Sequence, residues 1–325
     1  MSLLEVKNLT VIYPDGTEAV DKVSFKLDEG EILGLIGESG SGKTTLGMAL
    51  TKLLPQGTEV SGEVLYKGMN LLELKGKELE KIRGKEIGTV FQDTLSALDP
   101  LMRIGRQIIE RSVADKTITQ DEAYPRAIEI MQALGVTQPE SRLQAFPHEL
   151  SGGLRQRAFI TISLFQDPRI LVFDEPTTSL DVVAQSQLVS LIRDLKSKGY
   201  SIIFITHDLL LASSFCDSIM IMYAAKTMEY GNVQNVIENS AHPYTKGLLA
   251  ATPSLLNIEK GLVPMKGYVP DPKNLPKGCR FWPRCELVQE ICKTIEPDLI
   301  DLGDGRKSAC HFAKEVRDSA SYYGN

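Results

Sequence analysis

The sequence Gly-Glu-Ser-Gly-Ser-Gly-Lys-Thr occupies residues 37–44 and fits the pattern G-x-x-x-x-G-K-[ST]. The apolar residues 32–36 precede it, and residues 45–50 have a helix-like composition. Glycines allow such a loop to fold back so that successive backbone N–H groups face phosphate oxygens. The helix that follows presents its positive end to the same anion. The stretch therefore predicts a P-loop that binds a nucleoside triphosphate.

Individual residues of this loop have expected roles. Lys43 should reach the β- and γ-phosphates, and the Thr44 hydroxyl should coordinate Mg²⁺. The other residues that we expect around the phosphates are Gly37, Ser39, Gly40, Ser41, Gly42 and Thr45. The alternative is a glycine-rich turn that only caps a helix. The flanking strand and helix argue against that alternative, because they are the context that the motif requires.

Length and charge limit the remaining possibilities. The chain has 325 residues, enough for about two domains, and a formal net charge of −6. This acidic balance argues weakly against a nucleic-acid surface, which needs clustered Lys and Arg. The longest apolar runs, such as residues 219–225, are shorter than the ~20 residues of a membrane helix. The N-terminal residues predict a strand rather than a signal peptide, so we expect a cytoplasmic protein.

A second nucleotide-binding element lies at residues 170–175, an apolar strand that ends in two carboxylates. Asp174 is placed to hold Mg²⁺, directly or through water. Glu175 can then polarise a water molecule for in-line attack on the γ-phosphate, so we expect hydrolysis. Two acids that merely solvate a strand end are the alternative, which the P-loop disfavours.

The order of elements predicts an α/β fold. Short β-like runs in residues 3–36 indicate a small antiparallel sheet, and residues from about 93 to 155 have helical periodicity and form a predicted helical insertion. Strands and helices then alternate, which implies a parallel sheet with crossover helices. After residue 253 prolines cluster and four of the five cysteines occur. We therefore predict two domains, residues 1–253 and a small Cys/Pro-rich domain at residues 254–325.

A third element, Leu-Ser-Gly-Gly-Leu-Arg-Gln-Arg at residues 150–157, supplies a second anion cradle. The cradle comprises Ser151, Gly152 and Gly153 at a helix N-terminus. With the Asp-Glu strand, this stretch resembles the signature of the ATP-binding cassette (ABC) family. The resemblance implies a P-loop NTPase core with an antiparallel β subdomain and an inserted helical subdomain. It also implies that the signature of one subunit closes over ATP on the P-loop of another.

The same resemblance assigns four further residues. Tyr13 matches the aromatic that stacks on adenine, and Gln92 matches the glutamine that contacts Mg²⁺ and the attacking water and senses the membrane partner. Asp181 matches the acid of the loop that crosses the dimer, and His207 matches the histidine that binds the γ-phosphate and holds Glu175. Without the family context, Tyr13 could be a cluster aromatic, Gln92 a loop residue and His207 a structural strand end.

Three stretches, residues 90–100, 146–153 and 242–249, are similar to the oligopeptide/dipeptide import branch of that family. Ser179 departs from the alanine of many relatives. The resemblance implies a peripheral ATPase at the cytoplasmic face of the cell membrane. Its implied partners are two permeases, an identical or homologous second ATPase and, indirectly, an extracytoplasmic binding protein, with no nucleic acid. The implied cargo is a di- or oligopeptide, or an oligosaccharide as in some archaeal relatives.

Four cysteines near the C-terminus, separated by 5, 6 and 17 residues, lack the paired C-x₂-C spacing of ordinary zinc sites. They are Cys279, Cys285, Cys292 and Cys310. Four thiolates suit a [4Fe–4S] cluster or Zn²⁺, and disulfides or free thiols remain open. Relatives with this extension are associated with an iron–sulfur cluster, which we favour. Cys216 is expected to be a buried small hydrophobe and His311 a bystander.

Two other functions are compatible with part of the sequence. A soluble ABC ATPase that acts on ribosomes or DNA is disfavoured by the single cassette, the acidic charge and the absence of a long coiled-coil insertion. In the second alternative the cysteines would regulate the ATPase activity, a role that would accompany transport rather than replace it. A structural staple explains four cysteines in a small Pro-rich extension more simply.

Overall fold

The computed structural model describes residues 2–91, 97–178, 181–251 and 264–318. These residues form two compact units, one within residues 1–73 and 204–325 and the other within residues 74–203. The chain therefore leaves the first unit once and returns to it. Among the described residues, every helix is too short or too polar to cross a bilayer.

The first unit begins with two strands of a four-stranded antiparallel sheet, and such a sheet was predicted for the N-terminal residues. Its elements up to residue 73 are β1 (Ser2–Ile12), β2 (Glu18–Asp28), β3 (Ile32–Ile36), α1 (Lys43–Leu50), β4 (Glu59–Tyr66) and β5 (Met69–Asn70). The antiparallel sheet has the strand order β2-β1-β4-β5. Leu4, Val6, Leu9 and Val11 of β1 are buried, which fixes the register of the strand because these side chains form the core face.

The second unit contains the predicted helical insertion. Its elements are α2 (Gly76–Ile82), β6 (Ile87–Val90), α3 (Ile104–Ala114), α4 (Gln120–Ala133), α5 (Pro139–Gln144), α6 (Gly152–Phe165), β7 (Ile170–Asp174) and α7 (Val182–Ser197). Strand β8 (Ser201–Thr206) contains the division between the units. Strands β6 and β7 pair in parallel. Helices α3, α4 and α6 pack on one another, so the helical prediction for this part is confirmed.

The rest of the first unit adds strands to the sheet that contains β3. Its elements are α8 (Leu209–Ser213), β9 (Ser218–Tyr223), β10 (Lys226–Asn232), α9 (Val233–Glu238), α10 (Pro243–Ala251), α11 (Glu290–Thr294), β11 (Ile300–Asp301), β12 (Lys307–Ser308) and α12 (Ala313–Asp318). Strand β3 pairs in parallel with β9, and β10 pairs antiparallel with both β9 and β12. The predicted domain boundary at residue 253 lies outside the described residues.

Candidate functional site

The P-loop lies where the sequence predicts it, between the fully buried strand β3 and helix α1. Two of its glycines are required because a Cβ at either position would clash with neighbouring backbone. A Cβ on Gly37 would stand 2.2 Å from the backbone oxygen of Met222, and one on Gly42 would stand 2.1 Å from that of Ala19. Gly42 also has φ of +100°, in the left-handed region that glycine adopts readily. The loop is therefore packed directly against neighbouring backbone.

Lys43 is the cation of this loop and is 4% exposed. Its ammonium donates to the carbonyl oxygens of Gly37 at 2.8 Å and Glu38 at 2.9 Å, and to the Ser41 hydroxyl at 3.3 Å. The charge is thereby fixed inside the loop, where a phosphate would meet it. Thr44, the predicted Mg²⁺ ligand, is exposed, and Gly40 has φ of +77°. Ser39 is exposed within the loop.

Tyr13 lies beside the same element. Its hydroxyl shares a hydrogen bond of 2.8 Å with the Thr45 hydroxyl in the first turn of α1. The structure therefore brings the predicted adenine-stacking residue to the helix that follows the P-loop. In the same unit His207 is exposed immediately after the buried strand β8.

In the second unit, Asp174 ends the buried strand β7 and is 6% exposed. Glu175 follows with φ of +44°, a backbone conformation that costs a non-glycine residue strain. The Thr178 hydroxyl donates to Oε2 of Glu175 at 3.0 Å, which fixes the carboxylate. The Gln156 side chain donates to the Pro176 carbonyl and ties α6 to this loop. Thr178 is not among the predicted site residues, although a hydroxyl three residues after the acid is a signal that the sequence contains.

The signature residues begin helix α6. Ser151 is the N-cap, and its hydroxyl accepts from the Leu154 N–H at 3.4 Å. A Cβ on Gly153 would meet nothing within 4 Å, and one on Gly152 would meet only the Arg155 side chain at 3.9 Å. Unlike Gly37 and Gly42, these glycines are therefore not required by packing against the part of the chain that the structure describes.

Asp181 begins the next helix. Its Oδ1 accepts from the Ala184 N–H at 2.8 Å at the N-terminus of α7. Gln92, predicted to contact Mg²⁺ and water, lies outside the described residues, as does Ser179.

Comparison with known proteins decides the family. The model of the ABC transporter family matches residues 20–178, and that of the oligopeptide/dipeptide transporter C-terminal region matches residues 228–292. The oligopeptide transport ATP-binding protein OppD of Escherichia coli (strain K12) is 40% identical over 95% of this chain and 93% of its own length. The chain belongs to the ABC transporter family. It is therefore an ATP-hydrolysing transporter subunit, called the ABC cassette below.

Further relatives agree with this assignment. The dipeptide transport ATP-binding protein DppD of Lactococcus lactis subsp. cremoris is 42% identical to the ABC cassette over 96% of this chain and 90% of its own length. Among solved structures, the dimeric bacterial ABC transporter cassette MJ0796 is similar with a TM-score of 0.63 and 28% identity. That match covers 71% of this chain and 98% of MJ0796.

The ABC cassette has a second feature, a cavity lined by all four C-terminal cysteines. Its lining includes Cys279, Cys285, Cys292 and Cys310 together with His242. Burial raises the pKa of the Cys279 thiol to about 11 and the pKa values of Cys285 and Cys310 to about 12. The Cys279 N–H donates to the Cys292 carbonyl at 2.8 Å. In the described parts of the cassette, no group of three or more His, Cys, Asp or Glu side chains has an arrangement that could hold a metal ion.

The fifth cysteine is buried, as expected, whereas the histidine next to Cys310 lines the cavity. Cys216 is buried, and its sulfur would lie 3.1 Å from a Cβ placed on Gly34 of β3, so it fills a tight core position. His311 also lines the cavity, and its Nε2 lies 2.9 Å from the Ile295 carbonyl oxygen.

Proposed function

We propose that this ABC cassette is the ATPase of an importer of di- or oligopeptides at the cytoplasmic face of the cell membrane. The observation that carries the proposal is 40% identity over 95% of the chain to an oligopeptide transport ATP-binding protein. The match at residues 228–292 to the C-terminal region of oligopeptide/dipeptide transporters supports it independently. The partners would be two membrane permeases, a second identical or homologous ATPase and, indirectly, an extracytoplasmic binding protein.

ATP would lie between two cassettes. In this proposal Lys43 binds the phosphates of one ATP, and Ser151 and Gly153 of the partner subunit close over the same nucleotide. The open surface at Gly152 and Gly153 supports this arrangement, since no close contact with the described residues explains the missing side chains. A close approach from outside the chain does explain them. The similar cassette MJ0796 is dimeric.

Mg²⁺ fits the oxygen ligands that the motifs supply. The Thr44 hydroxyl, the Asp174 carboxylate and the Gln92 amide oxygen are hard donors of the type that Mg²⁺ prefers. When bound, the ion would neutralise charge on the β- and γ-phosphates. Glu175 would accept a proton from the attacking water and His207 would contact the γ-phosphate, while Thr178 holds the Glu175 carboxylate at 3.0 Å.

The cargo is tested by reconstituting the cassette with its native permeases in lipid vesicles. We expect the ATPase rate to rise when the extracytoplasmic binding protein is loaded with a mixture of di- to pentapeptides. Empty binding protein is the control. Stimulation by oligosaccharides alone, with none by peptides, would contradict the peptide assignment and leave the ATPase assignment intact.

We also propose that the four cysteines hold a [4Fe–4S] cluster. The donor set fits, because four sulfur ligands line one cavity. Burial raises the pKa of three of these thiols, so each would have to lose its proton to act as a thiolate ligand. The chemistry of the donor set carries this proposal, since the present arrangement of the side chains is not one that holds a metal ion. Zinc and uncoordinated thiols or disulfides are the competing states.

Metal analysis of the chain purified without oxygen tests this proposal. We expect about four iron and four sulfide per chain, which is the composition of one [4Fe–4S] cluster. Cys285→Ser should lose most of the iron, whereas Cys216→Ser, at a buried site outside the cavity, should retain it. One zinc per chain, or a full count of reactive thiols without iron, would rule the cluster out.

A further inference from the structure

Glu38, the second residue of the P-loop motif, is held at three groups: its carbonyl, its N–H and its carboxylate. Its carbonyl oxygen accepts from Lys43 at 2.9 Å, and its N–H donates to the Tyr244 hydroxyl at 3.1 Å. Its carboxylate accepts two hydrogen bonds from the Arg284 guanidinium, at 2.6 and 3.1 Å. This two-point pairing fixes the direction of both side chains, because the guanidinium fork matches the carboxylate. The backbone of the P-loop is thereby tied to a residue near the C-terminus.

Arg284 is itself rigidly placed. It is 8% exposed, and its Nε donates to the Lys266 carbonyl at 3.0 Å. It belongs to a short turn between Cys279 and Cys285, in which its N–H donates to the Phe281 carbonyl at 3.0 Å. Phe281 is fully buried and packs on the rings of Tyr223 and Tyr244. The turn is therefore anchored in the core of the first unit.

The same turn also supports the P-loop from a second side. Arg280 donates to the Ala224 carbonyl at 2.6 Å and pairs with Glu18 at 2.5 Å. Ala224 and Ala225 have φ of +44° and +70°, which is strained for residues with a Cβ and persists only where the surroundings enforce it. The Ala225 N–H donates to the Ser41 carbonyl at 3.1 Å. Arg280 thus stabilises the strained turn that contacts the P-loop.

We propose that Arg284 is a positioning residue for the triphosphate site and acts through Glu38. It keeps the loop in its anion-binding conformation and neutralises a carboxylate that would otherwise repel the phosphates. Loss of the guanidinium would leave Glu38 charged and unpaired in a partly buried position, which is costly. The inference rests on the proposed ATP site at Lys43, and it adds a residue that lies outside every ATP-binding motif.

Equilibrium binding of ATP to the full-length chain tests this role. Arg284→Gln should raise the Kd for ATP about tenfold, and Arg284→Lys, which keeps the charge but not the fork, about threefold. Adding Glu38→Gln to Arg284→Gln should recover part of the lost affinity for ATP, because the second substitution removes the unpaired charge. The matched control is Arg306→Gln. Arg306 is also buried, pairs with Asp304 at 2.6 Å and donates to the Asn235 carbonyl, so its loss should lower Tm without changing the Kd.

Each outcome is decisive. A Kd within twofold of wild type for both Arg284 variants overturns the inference, provided that Lys43→Ala abolishes binding. The inference is also overturned if the Kd rises equally in Arg306→Gln, because the effect is then merely structural. The same holds if adding Glu38→Gln to Arg284→Gln does not lower the Kd. If Lys43→Ala binds ATP normally, the proposed ATP site is wrong and the inference falls with it. If Arg284→Gln does not fold, Arg284→Lys gives the same decision.

Discussion

Glu175→Gln is expected to lower the rate of ATP hydrolysis by about 10²- to 10⁴-fold, the range for loss of a general base. The amide keeps the size of the side chain and can still accept from Thr178, but it cannot take a proton from water. ATP binding should stay close to that of wild type. The ATP-bound form should therefore accumulate as a dimer, which light scattering in the presence of Mg²⁺ and ATP would detect.

The control for this experiment is Glu140→Gln, an exposed carboxylate in α5 of the same unit. It should hydrolyse ATP at the normal rate. Thr178→Ala should lower the rate less than Glu175→Gln does, because it removes the hydrogen bond that orients the carboxylate but leaves the base in place. Turnover near the wild-type rate in Glu175→Gln would contradict the assignment of the base.

Gly42→Ala is expected to raise the Kd for ATP at least about 100-fold, because an L-residue is strained at this φ and the loop must move. The new Cβ would stand 2.1 Å from the Ala19 backbone oxygen, and backbone cannot yield as a flexible side chain can. Displacement of the loop would turn its N–H groups away from the phosphates. Titration with a fluorescent ATP analogue measures the effect.

Gly68→Ala separates the clash from the backbone strain. Gly68 has φ of +82°, similar to that of Gly42, but a Cβ there would meet nothing within 4 Å. Gly68→Ala should therefore lose about 1–3 kcal/mol of stability without a change in the Kd for ATP. If Gly42→Ala and Gly68→Ala bind ATP equally well, ATP binding does not depend on the close packing of the P-loop against neighbouring backbone.

Much of the nucleotide site could be predicted because its motifs are local. The P-loop needs a strand, a glycine-rich loop and a helix in consecutive residues, and the structure has β3, the loop and α1 in that order. Asp174 and Glu175 follow an apolar strand that is fully buried. The helical segment before residue 155 was also predicted, because its apolar residues recur with helical periodicity.

Other features could not be predicted because they depend on residues far apart in the chain. Arg284 and Glu38 are 246 positions apart, and no local pattern pairs them. The pairing of β12 with β10 is likewise set by packing, since a two-residue strand has almost no sequence signal. The presence of four cysteines in the C-terminal extension predicted a shared site, and the four thiols do line one cavity, but neither observation identifies what they bind.

Isolation of the chain with its partners is the most direct test of its role in transport. The native chain would be purified gently, in detergent and without oxygen, from the membranes of its own organism, and the bound proteins would be identified. We expect two multi-span permeases in equal amounts, with a second ATPase or a second copy of this chain. Recovery of ribosomal or DNA-associated proteins without any permease would contradict the transport function.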